Sequence, residues 1–146
     1  MVSLPFSTTS ASAVETERIA ATLSARLVPG DIVLISGELG AGKTTFVRGA
    51  ARALGVADPV TSPTFTVGQR YSAAQPLQYV AHVDLYRLAS LEHEDPDLLA
   101  DYTGAAIVTF VEWPAAGREW LEGLGRVAMR VTLAHLGGES RSIEAA

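Results

Sequence analysis

Residues 31–54 read DIVLISGELGAGKTTFVRGAARAL, and this stretch restricts the folds open to the chain more than any other. DIVLIS, 31–36, is a short apolar run rich in β-branched residues and bounded by Gly37, the pattern of a buried strand. Residues 44–54 read as a helix, with Gly55 placed as its C-terminal stop. Between them Gly37, Gly42, Lys43 and Thr44 satisfy G-x-x-x-x-G-K-[ST], in the strand, loop, helix order that this pattern requires. A chance match in a chain of this length has a probability on the order of 1%, so a turn that merely joins strand to helix is the weaker reading. Glycines let successive backbone N–H groups turn inward around an anion, and the following helix points its positive end at the same place. The loop therefore suits the phosphates of a nucleotide, with Lys43 reaching the β- and γ-phosphates and the Thr44 hydroxyl ligating Mg²⁺. Lys43 is the only lysine beside ten arginines. A guanidinium is a broad planar fork and does not replace a slim ammonium inside a closed loop, so shape explains why lysine stands here.

The rest of the chain is organised by periodicity and punctuation. Ser12 caps a predicted helix in which Ile19, Leu23 and Leu27 fall four apart on one face, ending before Pro29. Residues 61–71 and 76–86 read as two extended segments of a hairpin. The acidic stretch 88–102 is expected to form a surface turn and short helix. AAIVTFVEW, 105–113, is the second buried strand candidate, and the tail, 126–136 and 140–145 around Gly137-Gly138, resembles a final hairpin. At 146 residues, one domain spanning 1–146 is the expectation. The predicted fold is α/β, with at least part of the sheet parallel.

Composition narrows the function. No apolar run approaches the roughly 20 residues of a membrane span, and the N-terminal stretch lacks the basic start and apolar centre of a signal peptide, so a cytoplasmic protein is expected. The absence of cysteine excludes disulfides, thiol catalysis and cysteine-ligated metal. A net charge of −5 argues against a chain that grips nucleic acid alone, because such grip neutralises phosphates with clustered Lys and Arg. The chain contains no Asn and its one Lys is already used, so the guanine-reading N/T-K-x-D motif of GTPases is missing. No inserted segment is long enough for the arginine-bearing lid of a small-molecule kinase. ATP hydrolysis is what remains, with such a kinase or a non-hydrolysing nucleotide-dependent scaffold as the alternatives.

Candidate site residues follow from their places in the pattern. Glu112 closes the run IVTFV, so its carboxylate emerges at the C-terminal end of a strand, where α/β sheets place their ligands. It can bind Mg²⁺ or orient the attacking water, against the plain reading of a solvent-facing strand-end glutamate. Asp84 shares one strand face with His82 and Tyr86 by alternation. It reads as a second carboxylate at the metal, or as a partner for Arg87 or a local cap. His82 is expected to be a packed strand histidine. Trp113 reads as core or rim packing, or as base stacking. Thr64 follows Pro63 in a turn that suits a γ-phosphate sensor or an ordinary loop threonine. The acidic residues of 92–101 read as a solvated face or a docking surface, and DYTG, 101–104, imitates a D-x-x-G switch but precedes a strand instead of following one. His82, Asp84 and His135 together have the composition of a non-haem iron triad, a competing reading.

GELGAGKTTFVRGAARALG, VTSPTFTV, HVDLYRL and VEWP, in this order, resemble the motifs of the TsaE family, the P-loop ATPases of bacterial tRNA threonylcarbamoyladenosine biosynthesis, over about residues 10–143. The resemblance implies a P-loop NTPase-like three-layer sandwich with a mixed, partly parallel sheet. It implies an accessory protein that binds and hydrolyses ATP with Mg²⁺, acts with TsaB and TsaD, and meets tRNA only through that complex. Carried onto this chain, the family's nucleotide loop is Gly40, Ala41, Gly42, Lys43, Thr44 and Thr45, and 61–65 is its switch-like segment. Asp84 and Glu112 are its acidic residues near Mg²⁺, Trp113 is the tryptophan beside the site, and Arg141 the basic residue before the last strand. The chain departs from the family in EDPDLLADY, 94–102, where a glycine is usual before the DY pair.

Overall fold

The computed structural model describes residues 1–63, 67–86, 97–113 and 121–146. Thr64 and the acidic residues 92–95 lie outside them. A single seven-stranded sheet runs through the chain: β1 (Phe6–Ser10), β2 (Asp31–Ser36), β3 (Gly68–Ser72), β4 (Tyr79–Asp84), β5 (Ile107–Glu112), β6 (Arg126–Gly137) and β7 (Ser140–Ala145). Helices α1 (Ala13–Ser24) and α2 (Lys43–Ala53) and one 3₁₀ turn (Ala100–Tyr102) complete the described elements.

The sheet order is β1-β7-β6-β2-β5-β4-β3. The four central strands β6, β2, β5 and β4 are parallel, and β3 and β7 add antiparallel pairings on either side. The mixed, partly parallel sheet is therefore as predicted. Both tail and central hairpins form as expected, and β2 is the apolar run itself, buried over its first five residues. The N-terminal strand β1 was not foreseen in the sequence; it pairs antiparallel with β7, Phe6 opposite Ala145 and Ser10 opposite Arg141.

Helix α1 opens with a reciprocal cap: Glu15 N–H donates to Ser12 Oγ at 3.1 Å and Ala11 N–H to Glu15 Oε2 at 3.0 Å. The helix stops at Ser24, one turn short of Leu27, yet Leu27 still packs into the core. The two helices cover one sheet face, where Val33, Ile35, Phe46, Val80, Phe110 and Val131 form the larger core. The opposite face carries Ile32, Leu34, Val83 and Val111 beneath Leu85, Leu99 and Leu121. At the N-terminal edge of the parallel strands, Arg126 donates twice to buried Asp31, both contacts 2.9 Å, which ties the starts of β2 and β6. That bond and the adjacent carboxylate raise the arginine's pKa above its ordinary value.

The helices cross at Gly49, where a Cβ would lie 2.3 to 2.7 Å from the Glu17 backbone. Backbone cannot swing aside as a side chain can, so the helices must separate to admit a methyl group. Gly49→Ala is expected to cost about 2–3 kcal/mol, read as a fall of roughly 5–10 °C in the thermal midpoint. An unchanged midpoint would show that the crossing is looser than its geometry.

Candidate nucleotide site

The parallel register assembles the site. Asp84, Glu112 and Ile35 stand side by side at the C-terminal ends of β4, β5 and β2, and the glycine loop leaves β2 directly beyond them. Gly40 and Gly42 adopt φ of +80° and +96°, and Gly42 caps α2 in the left-handed conformation that side chains resist. A cleft of about 350 Å³ opens here, lined by Gly40, Gly42, Lys43, Thr44 and Thr45 from the loop and helix, and by Ser62, Asp84, Glu112, Trp113 and Arg141 from elsewhere. Ala41 is buried beneath the loop.

Lys43 is only 6% exposed and folds back along its own loop. Its Nζ donates to Gly37 O at 2.6 Å and Glu38 O at 2.9 Å, and lies 4.2 Å from the centre of a Trp113 ring. Burial lowers the ammonium's pKa below the ordinary lysine value, while the charges of Glu112 and Asp84 oppose that shift. Trp113 reaches this position through a left-handed backbone, φ +60°, uncommon for a bulky residue and held by its N–H to Ile35 O at 3.2 Å. Its ring also meets Tyr86, centroids 5.1 Å apart. Trp113 is thus a rim residue that covers the lysine, a cation–π contact the sequence reading missed.

Glu112 corrects the solvent-facing alternative: it is 3% exposed, and its Oε2 lies 2.7 Å from His82 Nε2. His82 is packed, as expected, but its partner is a site carboxylate. Asp84 lines the cleft and also accepts the Tyr86 N–H at 2.9 Å, a local cap at a residue of the candidate site. Thr44 Oγ1 and Ser62 Oγ are 2.7 Å apart. Ser62 was not singled out in the sequence, although it stands two residues before Thr64 in the segment 61–65. Arg141 lies within β7, beside Gly42; its Nη1 donates to Gly138 O and Ser140 O at 2.9 Å, and its Nε is buried without a partner.

The iron triad fails on placement. His135 is exposed near the β6-β7 turn, its Nδ1 accepting the Gly137 N–H, and among the described residues no three His, Asp or Glu side chains gather as a metal group. The donors that do converge are hard oxygens, a hydroxyl from Thr44 and carboxylates from Asp84 and Glu112, the set that suits Mg²⁺.

The family model for threonylcarbamoyl adenosine biosynthesis protein TsaE matches residues 10–143. The chain belongs to the TsaE family. It is 38% identical over 123 residues to the tRNA threonylcarbamoyladenosine biosynthesis protein TsaE of Mycobacterium tuberculosis, covering 84% of this chain and 70% of that one. The TsaE protein of Bacillus subtilis is 37% identical over 130 residues, 88% of this chain and 77% of its own. Among solved structures, Bacillus subtilis YdiB superposes with a TM-score of 0.66 at 29% identity, covering all of this chain and 87% of that one. Among the described residues no helix of this TsaE-family chain is long and apolar enough to cross a membrane.

Proposed function

We propose that this chain binds ATP with Mg²⁺ and hydrolyses it as the accessory ATPase of tRNA threonylcarbamoyladenosine modification, acting with TsaB and TsaD. One observation carries the reading: Lys43 and Thr44 of the phosphate loop meet Asp84 and Glu112 in a single cleft. The loop's N–H groups and the start of α2 receive the phosphates. Lys43 exchanges two carbonyl partners for phosphate oxygens, and Trp113 keeps its ammonium from water. Arg141, with its unpartnered Nε beside Gly42, supplies the second cation of the cleft. Thr44, Glu112 and Asp84 would hold Mg²⁺, which when bound neutralises charge on the transferring phosphoryl group. Thr64, placed in the switch-like segment by family resemblance, is assigned as a γ-phosphate sensor.

A net charge of −5 leaves few clustered cations for RNA, so contact with tRNA comes through the partners. The test is phosphate release and tRNA retention at about 150 mM salt, with the chain alone and with TsaB and TsaD. The expected result is slow turnover alone, faster turnover in the complex, and no retention of tRNA by the lone chain. Nucleotide-dependent assembly without phosphate release would favour a scaffold, and submicromolar tRNA binding by the lone chain would defeat the division of labour.

A further inference from the structure

His82 is fully buried, at 0% exposure, between Val80 and Asp84 on β4 and in register with Phe110 on β5. Its Nδ1 is buried with no hydrogen-bond partner, so the polarity of the ring is used once, at Nε2, on Glu112 Oε2. Since a carboxylate only accepts, Nε2 carries the hydrogen. A leucine or phenylalanine would fill the same space without leaving a buried nitrogen unmatched. Among the described residues no donor engages Glu112 Oε1, and the residue lines the cleft.

We infer that His82 is a positioning residue for Glu112, holding the carboxylate by Oε2 so that Oε1 is presented to the cleft. The inference rests on the ATPase reading above. Its physical content is a competition. Lys43 and Glu112 carry opposite charges and line the same cleft, yet Lys43 bonds to Gly37 O and Glu38 O and not to the carboxylate. Two such charges in one cleft close into an ion pair unless each is tethered, Lys43 by its two carbonyls and Glu112 by a partner of its own. The His82 bond supplies that tether, and without it the lysine and the glutamate would each be withdrawn from the phosphates and the metal.

Two amides of equal polarity separate positioning from filling. Glutamine places an N–H donor near the site of the histidine Nε2, whereas asparagine stops one atom short of it. Affinity for mant-ADP with and without Mg²⁺ is measured for each full-length variant, together with turnover in the TsaB and TsaD complex. His82→Gln should keep the Mg²⁺-dependent gain in affinity and turnover within about threefold, while His82→Asn should lose the gain and at least about tenfold in turnover. If the asparagine chain does not fold, His82→Phe, which fills the space without a donor, is read in its place. In a Glu112→Gln background, removal of the histidine donor should cost little more, because both changes act on one carboxylate. A normal Mg²⁺ gain in His82→Asn or His82→Phe, equal losses in Gln and Asn, or additive losses in the double variant would each overturn the inference alone. A wild-type chain whose mant-ADP affinity ignores Mg²⁺ would overturn the ATPase reading and this inference together.

Discussion

Lys43→Arg is expected to lower ATP turnover in the partner complex by about a hundredfold, nearly as far as Lys43→Ala, although the charge is retained. A hundredfold corresponds to about 2.7 kcal/mol of transition-state stabilisation, a normal loss for a charged donor at a transferring group. The geometry supplies the reason. The ammonium occupies a slot bounded by Gly37 O, Glu38 O and the Trp113 ring, and the side chain is almost wholly enclosed. A guanidinium is wider than that slot and presents its donors in a fixed fork, so it must displace either the loop or the tryptophan. Steady-state phosphate release by the two variants decides the matter. Arginine activity near wild type would show that charge alone was required.

The second large effect is expected at the residues proposed to hold Mg²⁺. Thr44→Ala and Glu112→Gln should each reduce Mg²⁺-dependent turnover at least about tenfold, since both remove an oxygen donor or charge from the phosphoryl group's surroundings. Glu112→Gln keeps an oxygen able to accept from His82 Nε2, so its thermal midpoint should stay near that of the wild type. Glu112→Ala should lose activity as well and additionally destabilise the chain by about 1–3 kcal/mol, because it strands a second nitrogen of a fully buried imidazole. Phosphate release and melting curves on the same preparations separate the two effects. Normal hydrolysis by Glu112→Gln in the complex would remove the role assigned to this residue.

Much of the fold and of the candidate site is legible in the amino-acid sequence. The glycine loop, the strand before it and the helix after it are local features: each is set by side-chain period or by glycine's access to positive φ within a few residues. The tail hairpin, turning at Gly137-Gly138, was readable for the same reason. Strand β1 was not. FSTTS has one large apolar residue, and it becomes a strand through pairing with β7, more than 130 residues away along the chain.

Local pattern and residue chemistry are enough to mark the glycine loop, its lysine and threonine, the buried strands and the two acidic candidates at strand ends. How they meet depends on long-range pairing. Parallel register puts Asp84 beside Glu112, and a slip of one residue would turn either carboxylate to the opposite face. The same register brings His82 to Glu112 across 30 residues, and a left-handed turn at Trp113 lays an indole over Lys43. Contacts of that kind carry no short-range periodicity. They arise when separate strands are packed against one core and side chains distant in the chain compete for the same buried space.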